Sequence, residues 1–320
     1  MGQSSSNLHP TTSKVSTSGQ NADFIFAASA MQGWRKNMED YNTALLDIGN
    51  STSYFGVYDG HGGYKVAKYA HEQLHRLVSG STMFRQGQFS AALKSSFLDF
   101  DEWLKNAEGK MLIPGGPGST SNVLLITKDY HAYCANIGDC RAVLCRKGEA
   151  VALSLDHKPG SKGEIDRIHN AGGYVKNGRV NGRTAISRAF GDFDYKVYHG
   201  DLHGNPEEFI ITANPDVCDC QLTLDDEFII LASDGIWDVV SNDMAVAFVR
   251  ERLAIHNGDL VKAADDLLDR CLSQTKGLVG SDNMTVILVG LLMGRTTDEW
   301  LSLVTPNLPR IQLSTTSTLV

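Results

Sequence analysis

Short apolar runs bounded by turn residues recur along this chain, at residues 24–30, 54–58, 123–127, 132–135, 141–145, 150–155, 227–233 and 284–291. Each is short and rich in β-branched or aromatic residues, so each predicts a buried strand. The links Lys128-Asp129 and Lys147-Gly148 have hairpin length, which predicts a largely antiparallel arrangement. Helical periodicity enters in pairs. Val66, Ala67, Ala70, Leu74, Leu77 and Val78 mark one helix within residues 63–79, and Phe89, Leu93, Phe97, Phe100 and Leu104 mark a second. Later, Ser241 or Asn242 can cap a helix reaching about residue 253, and Leu260, Ala264, Leu267, Leu268, Cys271 and Leu272 define its partner. Helix pairs on both sides of a block of strands predict an α+β fold whose sheets are covered on their outer faces.

Polar segments frame this core. Residues 1–22 are rich in Ser and Thr and predict a disordered leader; residues 293–320 predict an extended polar tail; residues 156–204, with a short helix near 165–171, predict a surface subdomain. The core domain is therefore placed at 23–292.

Three of the apolar runs carry an aspartate at one end. Residues 54–58 stop at Asp59-Gly60, residues 228–233 stop at Asp234-Gly235, and residues 284–289 follow Asp282-Asn283. Buried strands gather their ends in space. Carboxylates gathered there repel one another and are costly to desolvate unless a cation sits among them, and a metal ion is the usual solution. Taken singly, each aspartate has an ordinary alternative: Asp282-Asn283 as a turn, Asp234 as a helix cap, Asp59-Gly60 as a hairpin tip. Gly60, Gly62 and Gly63 together exceed what a tight turn requires and let the backbone approach a ligand. His61, two residues beyond a carboxylate, is suited to general acid work. In Arg35-Lys36-Asn37-Met38-Glu39-Asp40, extended backbone would send the two acids to opposite faces, and Arg35 suits bidentate contact with a phosphate.

Composition narrows the function classes. A net charge of -8 and a pI near 5.7 disfavour nucleic acid as a partner. Six cysteines without a paired C-x-x-C spacing fit reduced thiols and a cytoplasmic setting. No apolar stretch approaches the roughly 20 residues needed to span a bilayer. Met1-Gly2-Gln3-Ser4-Ser5-Ser6 fits the N-myristoylation pattern, which would give reversible membrane association through Gly2.

Over residues 23–292 the chain resembles the metal-dependent Ser/Thr protein phosphatases of type 2C, the PPM family. Eight segments carry the resemblance, in the family's order: Gln32-Gly33-Trp34-Arg35-Lys36-Asn37-Met38-Glu39-Asp40, Val57-Tyr58-Asp59-Gly60-His61-Gly62-Gly63, Gly118-Ser119-Thr120, Ala135-Asn136-Ile137-Gly138-Asp139-Cys140-Arg141, Asp156-His157-Lys158-Pro159, Ser187-Arg188-Ala189-Phe190-Gly191-Asp192, Leu231-Ala232-Ser233-Asp234-Gly235-Ile236-Trp237-Asp238 and Ser281-Asp282-Asn283. The resemblance implies a four-layer α/β/β/α sandwich and a monomer acting on phosphorylated protein substrates. It implies that Asp59 bridges two Mg²⁺ or Mn²⁺ ions, that Gly60 offers its carbonyl, and that Asp234 and Asp282 ligate the second ion. Glu39 and Asp40 would hold metal-bound waters, Asp139 and Asp238 a weaker third ion, Arg35 the substrate phosphate, and His61 would protonate the leaving oxygen. Cys140 stands where serine is more usual, and Ser121-Asn122 where small apolar residues are.

An all-oxygen ligand set selects hard cations, and a paired metal centre would activate water without a covalent enzyme intermediate. A non-catalytic binding module of the same fold is the first rival, opposed by the full ligand set. A nucleotide hydrolase is the second, but Gly115-Gly116-Pro117-Gly118-Ser119-Thr120 lacks the lysine of a P-loop.

Overall fold

The structure is a computed structural model and describes residues 9–107, 116–201 and 203–305. The strands in chain order are β1 (Thr11–Gln20), β2 (Phe24–Gly33), β3 (Tyr41–Leu45), β4 (Ser53–His61), β5 (Gly118–Ile126), β6 (His131–Ile137), β7 (Arg141–Arg146), β8 (Glu149–Ala152), β9 (Val175–Lys176), β10 (Arg179–Val180), β11 (Phe190–Gly191), β12 (Asp216–Gln221), β13 (Asp226–Ala232) and β14 (Met284–Leu291). The helices are α1 (Lys65–Gly80), α2 (Thr82–Arg85), α3 (Phe89–Ala107), α4 (Lys162–Asn170), α5 (Asp234–Trp237), α6 (Asn242–Ile255), α7 (Leu260–Cys271) and α8 (Thr297–Val304).

Two antiparallel sheets form the centre. One has the order β1-β2-β14-β13-β7-β8; the other has β12-β6-β5-β4-β3, with β11 also pairing β5. Residues alternate faces along each strand, so consecutive apolar positions serve different layers. In β13, Ile229 and Leu231 meet Phe55, Val57 and Leu124 between the sheets, whereas Phe228 and Ile230 pack under α6 and α7. Tyr54, Tyr58, Val123 and Leu125 face α1 and α3 in the same way. The outcome is the four-layer α/β/β/α sandwich, and the double-sided burial explains why these strands read as unbroken apolar runs.

The ends of the chain differ from expectation. The part of the leader within the described residues is a strand: β1 pairs along β2 from Thr11↔Gly33 to Gln20↔Ile25. Its side chains are mostly exposed, so no apolar pattern announces it. Backbone pairing holds it, together with Lys14 to Asp269 at 2.7 Å and Ser16 Oγ donating to Asp265 at 2.9 Å. Residues 1–8, with the Gly2 acylation signal, lie outside the described residues.

The tail likewise begins with a helix, α8, and the core extends beyond residue 292. Thr296 and Glu299 cap its start reciprocally, and fully buried Trp300 donates its indole N–H to the Glu227 carbonyl at 2.7 Å. A polar composition concealed a short amphipathic turn. The surface segment expected at 156–204 contains α4 and the β9–β10 hairpin, and Ile168, Val180 and Ile186 within it share a small core with Ile210 and Ile211 beyond it.

Register then decides where the chemistry lies. β13 and β14 are antiparallel, so the end of β13 lies beside the start of β14, as in Ala232↔Val286; β7 starts at the same edge, as in Ala232↔Arg141. β2 ends there too, with Met31 opposite Met284. In the other sheet, β4 ends opposite the start of β5 and the start of β3. Asp59, Asp234, Asp282, Asp139, Arg35 and Asp40 therefore converge on one end of the sandwich.

Candidate active site

That end opens into a cleft of about 720 Å³ lined by Arg35, Glu39, Asp59, Gly60, His61, Asp139, Asp234 and Asp282, with Arg179, Arg183 and Tyr195 of the surface subdomain on another wall. The glycines of the two Asp-Gly pairs are explained by close packing rather than by turn geometry. A Cβ on Gly60 would lie 2.5 Å from the Glu39 carbonyl oxygen, and one on Gly235 would lie 2.0 Å from the Asn283 carbonyl oxygen. Each glycine thus lets one acidic segment press against another: 59–60 against 39–40, and 234–235 against 282–283.

The acids pack to different depths. Asp40, immediately before β3, is buried and accepts a hydrogen bond from Ser233 Oγ at 2.9 Å. Glu39 points the other way and accepts from the Gly63 amide at 3.2 Å, so the two adjacent acids do separate as extended backbone requires. Asn283 fixes their segment: its Oδ1 accepts from the Glu39 amide at 2.8 Å, while its Nδ2 donates to the carbonyls of Gln32 and Asn37. Asp139 follows Gly138 in the β6–β7 turn and pairs with Lys158 at 2.5 Å. Asp238 closes α5, four residues beyond Asp234.

The electrostatics follow from burial and like charge. Burial pushes the Asp59 carboxyl well above the usual range, and Asp234, Asp40, Asp139 and Asp282 push it further. Asp234 is pushed up to about 8 by burial and then by Asp139, Asp282 and Asp238. Asp40 rises to about 7, chiefly by burial, against the hydrogen bond from Ser233. Among the described residues no lysine or arginine forms an ion pair with Asp40, Asp59 or Asp234; Arg35 reaches Asp282 at 2.5 Å and Lys158 reaches Asp139. Like charges held this close, without a cation of their own, form a site for an external cation.

Among the described residues no three His, Cys, Asp or Glu side chains form a ready-made chelate. The donors gathered here are carboxylate and carbonyl oxygens, a set that suits hard cations such as Mg²⁺ or Mn²⁺, which keep several waters and need only one or two carboxylates each.

Arg35, in the turn after β2, is well exposed, and its charge is favoured by Asp282, Asp234 and Asp59 against the cost of burial. His61, at the end of β4, is about one-third exposed, and its Nε2 lies 2.8 Å from Asp192 Oδ2. Burial would lower the imidazole pKa, but Asp192, together with Asp139 and Glu39, outweighs it and the net shift is upward. Ser233, Asn283 and Asp192 were present in the sequence motifs but without a role; each is a polar side chain inside a motif already singled out, and only spatial contact assigns it. The departures at residues 122 and 140 are absorbed locally, whereas the buried Ser121 hydroxyl has no hydrogen-bond partner among the described residues. Buried Asn122 donates to Asn136 Oδ1 at 3.0 Å and to Ser154 Oγ at 3.2 Å, and Thr120 Oγ1 lies 3.2 Å from Cys140 Sγ. All six cysteines are free thiols.

An antiparallel sandwich with an acidic cleft of about 720 Å³ and a flanking arginine sets the chemistry of the site, and the comparisons identify the family. The family model for protein phosphatase 2C matches residues 24–277. A probable protein phosphatase 2C of Caenorhabditis elegans is 44% identical over 304 residues, covering 93% of this chain and 82% of that protein. Protein phosphatase 2C homolog 2 of Schizosaccharomyces pombe is 43% identical over 314 residues, covering 95% and 82%. In fold, the chain is similar to a serine-threonine phosphatase 2C from Toxoplasma gondii, with a TM-score of 0.73, 21% identity and coverage of 87% of this chain and 99% of that one. The chain belongs to the protein phosphatase 2C family and is a protein serine/threonine phosphatase.

Proposed function

We propose that this protein hydrolyses phosphoserine and phosphothreonine in proteins at a centre of two Mg²⁺ or Mn²⁺ ions, without a covalent enzyme intermediate. The observation that carries the reading is the convergence of Asp59, Asp234, Asp282 and Asp139 on one cleft, where among the described residues no lysine or arginine forms an ion pair with Asp59 or Asp234. Asp59, the Gly60 carbonyl, Asp234 and Asp282 would hold the ions, Glu39 and Asp40 would act through waters, and Asp139 with Asp238 would serve a weaker third ion. When bound, the ions supply Lewis-acid activation of the attacking water.

The remaining work falls to side chains of this chain. Arg35 binds the phosphate oxygens, moving from Asp282 or sharing it, with a planar fork suited to that anion. His61 delivers a proton to the departing Ser or Thr oxygen, which as an alkoxide would be a poor leaving group. The walls of the cleft orient the phosphorylated residue toward these groups.

Activity of purified protein on a phosphothreonine peptide tests the reading. It should be lost after exhaustive EDTA treatment, restored by Mg²⁺ or Mn²⁺, and lost in Asp59→Asn; retention after either treatment overturns the metal mechanism. ATP should not be turned over.

A further inference from the structure

Two motifs, Gly118-Ser119-Thr120 and Gly191-Asp192, have no metal or phosphate role in the reading above. Strand pairing brings both to His61. β4 and β5 pair His61 with Gly118, and β5 and β11 pair Gly118 with Gly191. Asp192 follows in the left-handed region, with φ of 51°. Its side chain is 9% exposed, and Oδ2 sits 2.8 Å from His61 Nε2.

Two independent features indicate that this contact is built rather than incidental. A Cβ on Gly118 would lie 2.4 Å from His61 Nε2 and 2.7 Å from Asp192 Oδ2, so no side chain at residue 118 is compatible with the pair. The loop carrying Asp192 is also anchored on both sides by a buried ion pair. Asp101 of α3 accepts from the Gly191 amide at 2.8 Å and lies 3.0 Å from Lys196 Nζ, which donates to the Ala189 carbonyl at 2.6 Å. Lys196 is 3% exposed, so this anchor is sheltered from water and salt.

We infer that Asp192 is a positioning residue for the proton donor: it holds His61 through Nε2, leaving Nδ1 to serve the leaving oxygen, in a slot that Gly118 keeps open. The inference rests on the reading of His61 as that donor. A carboxylate only accepts, so Nε2 carries the hydrogen in the pair, and Nδ1 is the nitrogen that loses a proton when the imidazolium reacts. In the step itself the bond from phosphorus to the Ser or Thr oxygen breaks and its electron pair goes to that oxygen. The oxygen takes the Nδ1 proton, and the water oxygen forms the new bond to phosphorus. The products are the protein alcohol and inorganic phosphate.

Two substrates separate positioning from general damage in the full-length, Mn²⁺-loaded protein. A phosphothreonine peptide needs a proton at its leaving oxygen, whereas p-nitrophenyl phosphate leaves as a weakly basic phenolate. In Asp192→Asn, kcat on the peptide should fall by roughly 10- to 100-fold with KM changed less than about twofold, and kcat on p-nitrophenyl phosphate should fall less than about threefold. His61→Ala should show the same selectivity, and the double variant should be no worse than His61→Ala alone. If His61→Ala is selective and Asp192→Asn is not, or if the two losses add, the positioning role is overturned while the proton-donor reading stands. If His61→Ala lacks selectivity, both fall. Nitrogen-15 spectra of the histidine rings in the metal-free wild-type protein give a reading that requires no variant to fold. A neutral His61 ring protonated at Nε2 is expected; one protonated at Nδ1 overturns the inference.

Discussion

The cleft floor and the surface subdomain both bury carboxylates, with opposite outcomes. In the subdomain, Glu164 is 4% exposed, yet its carboxyl is held down at about 2. Burial alone would raise it, but Arg188 and Arg167, each at 2.7 Å, more than offset that cost. Arg188 also reaches Asp216 at 2.7 Å, so the network closes within the protein. On the floor, Asp234 is partly open to the cleft and still rises to about 8, first through burial and then through Asp139, Asp282 and Asp238, with no cationic partner to offset them as there is for Glu164. Burial by itself therefore predicts nothing; the sign of the neighbours decides whether a buried acid stabilises the fold or awaits a ligand.

The contrast can be broken from either side. The largest effect is expected in Asp59→Asn, which should lower kcat on a phosphothreonine peptide by roughly 100-fold or more, measured at saturating Mn²⁺. Next, Glu164→Ala should destabilise the protein by about 3 to 5 kcal/mol, because it leaves two buried guanidinium groups without their shared acceptor; urea unfolding checks this, and a change below about 1 kcal/mol would show that the network is not structural.

Acid should reveal the same network in the wild type. Glu164 is depressed in the folded state, so its contribution is fully present above its unfolded pKa, near 4.5, and is lost as pH falls toward about 2, for a total on the order of 3 kcal/mol. Glu164→Gln should remove most of that dependence in unfolding midpoints measured across this window. On the floor, Mn²⁺ at about 100 times its Kd should stabilise the protein by about 2.7 kcal/mol, an increase in Tm of a few degrees. The smallest effect would sharpen the comparison most. In metal-free protein, Asp59→Asn should be more stable than the wild type by about 1 kcal/mol, since it removes like-charge repulsion. A destabilised variant would mean that the acidic floor contributes to folding unaided.

The apolar runs at 54–58, 123–127, 227–233 and 284–291 were legible as strands because burial on both faces leaves them almost wholly apolar, with Thr127, Glu227, Ser233 and Thr285 the exceptions. β1 was illegible because its side chains are exposed and its partner is β2, whose pairing no local pattern encodes. β12 was missed for the same reason: its residues are mostly exposed and it is held by pairing with β6. α8 was obscured by its brevity and by surrounding Thr and Ser, although its capping pair and Trp300 were in plain view. In the site, Asp59, Asp234 and Asp282 were readable as strand-end acids, since a charge that interrupts an apolar run is locally conspicuous.

By itself, then, the sequence determined the strands buried on both faces, the paired amphipathic helices, the acids at the strand ends and, through eight ordered motifs, the family. Those features are local: periodicity and short spacing are set by residues close together in the chain. The tertiary structure decided which acids share a space, that Gly60 and Gly235 exist for close packing, that Asp139 is paired with Lys158 while Asp59 is not, and that Asp192 holds His61 across 131 residues. Pairing and burial depend on register between strands distant in sequence, and a carboxylate's charge state follows from those neighbours rather than from its own segment.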